Sequence, residues 1–167
     1  MKSVMKGYAL PCAAALLVIA AAVVIFAVPR GDAAEADSCY AARNENGDIV
    51  ISASELSADK ISFYRLAEDS RIELVAIRGA DGAAYAALGT CQSCNGSPNA
   101  YYTQNGEMLQ CNNCGLTFPL SIIGTEGSGC HPIMMDDSVA ERSGNDLVIH
   151  TEALAAYEPL FARVAAH

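Results

Sequence analysis

Basic side chains are scarce in this chain. Lys and Arg number 10 against 19 Asp and Glu, and from Gly31 onward the count is 7 against 19, a formal charge of −12 with His neutral. A chain so acidic lacks the cationic face that phosphate contacts require, which argues against nucleic acid as a partner. The commoner meaning of such a surface is solubility, although it also suits cations or a basic protein. Equally absent are a Ser-His-Asp set, a phosphate-binding loop and a spaced pair of carboxylates, so hydrolase and kinase chemistry find no support. His150 and His167 have no partners in the pattern that would suggest catalysis, and they receive no role. There is no internal repeat, and no low-complexity block beyond an Ala-rich run near the N-terminus.

Charge is missing altogether from Gly7 to Pro29, a run that contains Leu16-Leu17-Val18-Ile19 and Val23-Val24-Ile25-Phe26. About 20 apolar residues cross a hydrocarbon core at 1.5 Å each, whereas the apolar region of a secretory signal is about 7 to 15 residues long. Residues 1–30 therefore read as a retained signal-anchor with one transmembrane helix. Cleavage after Ala34-Glu35-Ala36 is the alternative. Lys2 and Lys6 before the span, against Arg30 alone just after it, place the N-terminus in the cytoplasm and the rest outside. Cys12 does not mark a lipoprotein, because the apolar run follows it instead of preceding it. The expected location is the cell membrane, single-pass, with the C-terminal domain extracytoplasmic.

Residues 31–46, rich in Ala, Asp, Glu and Asn and without apolar periodicity, read as a tether that carries Cys39. Residues 47–167 are then a single extracytoplasmic domain, mainly β within the α+β class. Asp48–Ser52 reads as a strand, Ser54–Ser57 as a turn, and Lys60–Leu66 as an alternating stretch. Arg71–Arg78, the turn Gly79–Gly82 and Ala83–Leu88 form a predicted hairpin. A second hairpin is expected at Tyr101–Gln110 around Asn105-Gly106, with one of Tyr101 and Tyr102 in the core and the other near solvent. Asp146–His150 reads as a strand, followed by an amphipathic helix over 152–166 with Thr151 as its N-cap and Pro159 as a kink or early stop.

What the chain does have is cysteine in pairs. Cys91-Gln92-Ser93-Cys94 and Cys111-Asn112-Asn113-Cys114 flank the second hairpin, and Cys130-His131-Pro132 follows. Two intervening residues make a turn tight enough to aim both sulfurs at one ion, and Gly115 supplies backbone freedom after the second pair. The hairpin folds the two turns together, giving a ribbon-like site of four cysteines. Four thiolates suit zinc, a single iron or an iron–sulfur cluster equally, because each uses sulfur ligation of tetrahedral type. Disulfides are the rival reading, since an exported domain meets an oxidising compartment. Cys130 reads as a fifth site residue, with a pairing to Cys39 or a free thiol as the alternatives, and His131 as an additional ligand or a solvated neighbour. Met134-Met135 reads as packing rather than a soft copper site.

The run Ala87-Leu88-Gly89-Thr90-Cys91-Gln92-Ser93-Cys94, with Ala100-Tyr101-Tyr102, Leu109-Gln110-Cys111-Asn112-Asn113-Cys114-Gly115, Ile123-Gly124 and Gly129-Cys130-His131-Pro132-Ile133, resembles the FtrD-like membrane iron-sulfur protein family. Ser54–Ser57, Ser62-Phe63-Tyr64 and Ala80-Asp81-Gly82 fit the same pattern, so the resemblance runs from about Asp48 to the last helix. One position departs, because many relatives carry Asn where this chain has His131. The resemblance implies a bacterial membrane-anchored domain that binds an iron-sulfur cluster or iron through Cys91, Cys94, Cys111, Cys114 and Cys130. It also implies an electron or metal carrier associated with iron uptake, partnered by an iron permease or an electron-transfer protein of the membrane. Such a protein is a redox component more than a stand-alone enzyme. Two other readings compete: a zinc-stapled surface binding module without redox activity, and a thiol-disulfide exchange protein.

Overall fold

The computed structural model describes residues 38–67, 70–125 and 127–165, and of Ser38–Tyr40 the backbone alone. Among the described residues no helix is long and apolar enough to cross a membrane, and the expected span at 7–29 lies outside them.

Eleven short strands are present among the described residues. The first five are β1 (Ser38–Tyr40), β2 (Ile49–Ile51), β3 (Ser62–Arg65), β4 (Glu73–Arg78) and β5 (Ala84–Cys91). Then come β6 (Tyr102–Asn105), β7 (Met108–Cys111), β8 (Thr117–Pro119), β9 (Pro132–Ile133), β10 (Ala140–Ser143) and β11 (Asp146–Ile149). They pair into a central sheet of order β1-β3-β4-β5-β9 and two three-stranded sheets, β10-β11-β2 and β6-β7-β8. The mainly β expectation holds.

The central sheet is covered on both faces, and this explains why β4 and β5 are almost wholly buried rather than apolar on one side only. Alternation divides their side chains. Leu74, Ala76, Ala84, Ala86 and Leu88 join one core with Ile49, Ile51, Leu147, Ile149, Leu154 and Phe161. Val75, Ile77, Ala87 and Cys91 point the other way, into a second core with Tyr102, Leu109, Cys111 and Leu120. Two of the cysteines are thus core residues of the face that carries β6 to β8. The paired methionines pack as expected, Met135 in the first core and Met134 against the second.

Three local expectations are corrected. The second hairpin pairs Asn105 with Met108, so its turn residues are Gly106 and Glu107, one position later than Asn105-Gly106. Gly106 takes φ 61°, which a two-residue hairpin turn demands at its first central position. The C-terminal helix is not continuous: α1 (Thr151–Leu154) and α2 (Glu158–Phe161) are separated by a 3-10 turn, Ala155–Tyr157. Pro159 sits in the first turn of α2, where its missing N–H costs nothing, and so it starts a new helix instead of continuing the old one. Thr151 is a helical residue rather than the cap, and its hydroxyl donates to the Gly47 carbonyl at 2.8 Å. Within the stretch expected as a tether, β1 runs parallel to β3, and the Arg43 guanidinium donates to the Gly47 and Leu66 carbonyls.

Gly124 is a packing constraint against Tyr85. Its φ is +89°, and an added Cβ would overlap the Tyr85 ring. That half-buried ring is held by a hydrogen bond from its hydroxyl to Asp81 at 2.8 Å and by the Arg142 guanidinium 4.7 Å from its centroid. Gly124→Ala is expected to cost about 1–3 kcal/mol through backbone strain and overpacking. A urea titration should show a lower midpoint at unchanged slope. An unshifted midpoint would mean that the ring yields freely.

Candidate metal centre

The first cysteine turn hangs from the end of β5, which is pinned from two sides. The Cys91 amide donates to the Ala100 carbonyl at 3.0 Å, the Gln92 amide to the His131 carbonyl at 3.1 Å, and the buried Thr90 hydroxyl to Ala100 at 2.8 Å. The second turn leaves β7 at Cys111. There the Gly115 amide closes back on the Cys111 carbonyl at 2.8 Å, with Gly115 at φ 74°. A Thr90–Tyr101 bridge closes the first loop at its base, and a 2.6 Å hydrogen bond from the Ser97 hydroxyl to the Asn113 side chain ties that loop to the second turn.

Cys130 arrives by a longer route. Pairing of Cys91 with Pro132 lays β9 along β5, and this carries the preceding residue pair, Cys130 and His131, to the first turn. The Tyr102 hydroxyl then donates to the Cys130 carbonyl at 2.5 Å.

The result is one cluster of sulfur. Cys91, Cys94 and Cys130 have Sγ atoms within 4.8 Å of one another, and so do Cys94, Cys111 and Cys114. Cys94 belongs to both sets, so its sulfur lies within 4.8 Å of all four others. The Cys114 and Cys130 sulfurs approach to 3.3 Å. All five are free thiols. Cys91 and Cys111 are fully buried, Cys94 and Cys130 partly so, and Cys114 is exposed.

His131 belongs to neither set of close sulfurs. Its ring stands edge-on to Phe118 with centroids 5.5 Å apart, its Nδ1 is buried without a hydrogen-bond partner, and a Cβ on Gly127 would overlap it. Tyr102 is the residue whose role beside the sulfurs the sequence did not disclose. Alternation places one of the tyrosines inside, and it is Tyr102 that is fully buried, but only the folded chain brings its hydroxyl to Cys91 and Cys130.

The sulfurs differ electrostatically. Burial opposes charge on Cys91, yet hydrogen bonds from the Cys94 amide and the Cys111 thiol, with the Tyr102 hydroxyl close by, carry it below the ordinary thiol range. Burial leaves Cys94 raised and pushes Cys111 up to about 12. Cys130 is raised, first by its hydrogen bond with Cys114 and then by burial. Cys114 is pulled down to about 7, chiefly by the Leu116 amide. Burial, and then the neighbouring Cys91, holds the Tyr102 phenol well above its usual value, so it remains a donor.

These directions set an order of reactivity in the metal-free chain. The thiolate is the nucleophile, and its fraction rises as pH passes the pKa. Cys114 should therefore alkylate half-maximally near pH about 7, and Cys111 only toward about 12. Peptide mapping after brief iodoacetamide treatment across pH reads both. Equal labelling of the two near neutrality would contradict the assignment.

The donor set fits an ion bound by thiolates. A tetrahedral ion with bonds of about 2.3 Å spaces its sulfurs about 3.8 Å apart. Sulfurs already within 4.8 Å reach that spacing by small side-chain movements. No curated protein and no solved structure gives a match to the chain. A family model described as "Membrane iron-sulfur containing protein FtrD-like" matches residues 56–161, more than half of the chain, and the match takes in all five clustered cysteines. By that match the chain belongs to the FtrD-like family of membrane iron-sulfur proteins.

Proposed function

We propose that this protein is a membrane-anchored, extracytoplasmic carrier of electrons or metal, associated with iron uptake, whose Cys91, Cys94, Cys111 and Cys114 hold iron or an iron-sulfur cluster. The observation that carries the reading is the position of Cys94, with sulfur from both turns and from Cys130 within 4.8 Å of it. Family membership supports iron and a membrane location. A bound iron centre supplies one-electron chemistry. The chain's own residues hold and shield it: Cys91 and Cys111 anchor it on the buried side, Tyr102 stands beside Cys91 and donates to the Cys130 carbonyl, and exposed Cys114 marks the edge open to a partner. A single-pass anchor raises the effective concentration of such a carrier beside a membrane partner. Cys130 supports the centre, and His131 stands beside it as a candidate ligand in a looser arrangement.

A second reading has its own observation. Sulfurs this close together suit one tetrahedral ion, and zinc in that place would staple the two turns without redox activity. One experiment separates the two: anaerobic purification of the full chain with elemental analysis, absorption spectroscopy and electron paramagnetic resonance on reduction. Iron with a visible band and a reducible signal supports the carrier. A colourless protein loaded with zinc supports the staple, which chelation would then unfold. A metal-free protein with its sulfurs bridged would remove both.

A further inference from the structure

Five thiols surround a centre that, as a tetrahedral site, needs four. The surplus is not spread evenly, because Cys114 and Cys130 stand 3.3 Å apart, sulfur to sulfur. Closing that gap to a bond of about 2.05 Å asks for a shift of little more than 1 Å. The two residues come from separate segments, the turn after β7 and the loop before β9. Each is next to a glycine with positive φ and open space around it, Gly115 beside Cys114 and Gly129 beside Cys130. Accessibility decides which thiol meets an outside reagent. Cys91 and Cys111 are fully buried, whereas Cys114 is exposed and Cys130 partly so. An exposed thiol with a second thiol poised next to it is the arrangement in which reversible oxidation is site-selective.

We propose that Cys114 and Cys130 are a thiol–disulfide switch that exchanges with an external disulfide. The Cys114 thiolate attacks one sulfur of that disulfide, forming a mixed disulfide and releasing the first thiolate. Cys130, giving up its proton, attacks Cys114 Sγ and releases the second. Cys114 and Cys130 together lose two electrons, the external disulfide gains them, and the two released thiolates take up two protons. Closure has a consequence for the centre, a step that rests on the metal reading above. It leaves Cys91, Cys94 and Cys111, three sulfurs, one short of a tetrahedral set, so oxidation unloads the site and reduction restores it.

The test uses the full chain, purified without oxygen, loaded with ferrous iron and incubated with oxidised glutathione. Free thiols, bound iron and cross-linked peptides are followed together. The expected result is loss of two thiols, a peptide joining Cys114 to Cys130, release of the iron, and recovery on adding reduced glutathione. Cys130→Ser lacks the resolving thiol and is expected to stop at a mixed disulfide on Cys114, losing one thiol per chain and forming no internal bridge. A bridge mapping to Cys91–Cys94 or Cys111–Cys114 would overturn the switch, as would a Cys130→Ser chain that loses two thiols as the unaltered chain does. A chain that never loads metal but forms the Cys114–Cys130 bridge supports the switch and removes the metal reading. One that loads iron and forms no such bridge does the reverse.

Discussion

Replacing Cys94 with serine is expected to lower metal affinity by at least about 100-fold. Loss of a group that merely orients a ligand costs about 10–100-fold, and a direct ligand at the middle of the cluster should cost more. The position is decisive because Cys94 is the sulfur shared by both close sets, one with Cys91 and Cys130 and one with Cys111 and Cys114. Without it the other sulfurs surround a gap instead of a donor. Cys130→Ser is the matched control, since it removes a sulfur while leaving both Cys-x-x-Cys turns whole. An anaerobic competition titration against a chromophoric chelator measures both variants. Unchanged affinity in Cys94→Ser would sink the assignment of the centre.

Tyr102→Ala is expected to destabilise the metal-free chain by about 3–5 kcal/mol, as deletion of a buried aromatic ring generally does. Tyr102 has no exposed surface and packs in the core that also holds Cys91, Cys111 and Leu109. A domain commonly has only about 5–15 kcal/mol in total, so the substitution consumes a large part of the reserve. Tyr102→Phe separates the hydroxyl from the ring. It keeps the packing but leaves the Cys130 carbonyl without its 2.5 Å donor, at a cost of about 1–3 kcal/mol. It also removes the hydroxyl dipole beside Cys91 that favours its thiolate, so Cys91 should alkylate at higher pH than before. Denaturant titration and peptide-resolved alkylation report the two effects separately. A phenylalanine variant matching the parent in both would show that the hydroxyl is idle.

Legibility followed the range of the forces involved. The hairpin of β4 and β5 was readable because Arg71–Arg78 and Ala83–Leu88 carry β-type runs on either side of a glycine-bounded turn. β8 and β10 were not, since Thr117–Pro119 and Ala140–Ser143 are short and mostly exposed, and gain strand conformation from the neighbour they pair with. The one-residue displacement of the turn to Gly106-Glu107 reflects pairing of Tyr102 with Cys111, which sets the register from the far end of the hairpin. Pro159 announced an interruption, but whether it kinked one helix or opened another depended on where the preceding segment packed.

From its sequence alone, this protein's four paired cysteines were destined for two tight turns joined by a hairpin, because a two-residue spacing and a glycine are local properties of the backbone. Its acidic balance and its family resemblance were likewise visible in the order of residues. Only the tertiary structure decided that Cys130 joins them, that Cys94 lies at the middle, and that Tyr102 rather than Tyr101 serves the sulfurs. The physical reason is that β9 finds β5 across a long stretch of chain, and both faces of the central sheet must be buried at once. Such contacts are chosen by packing the whole domain, and no window of neighbouring residues contains them.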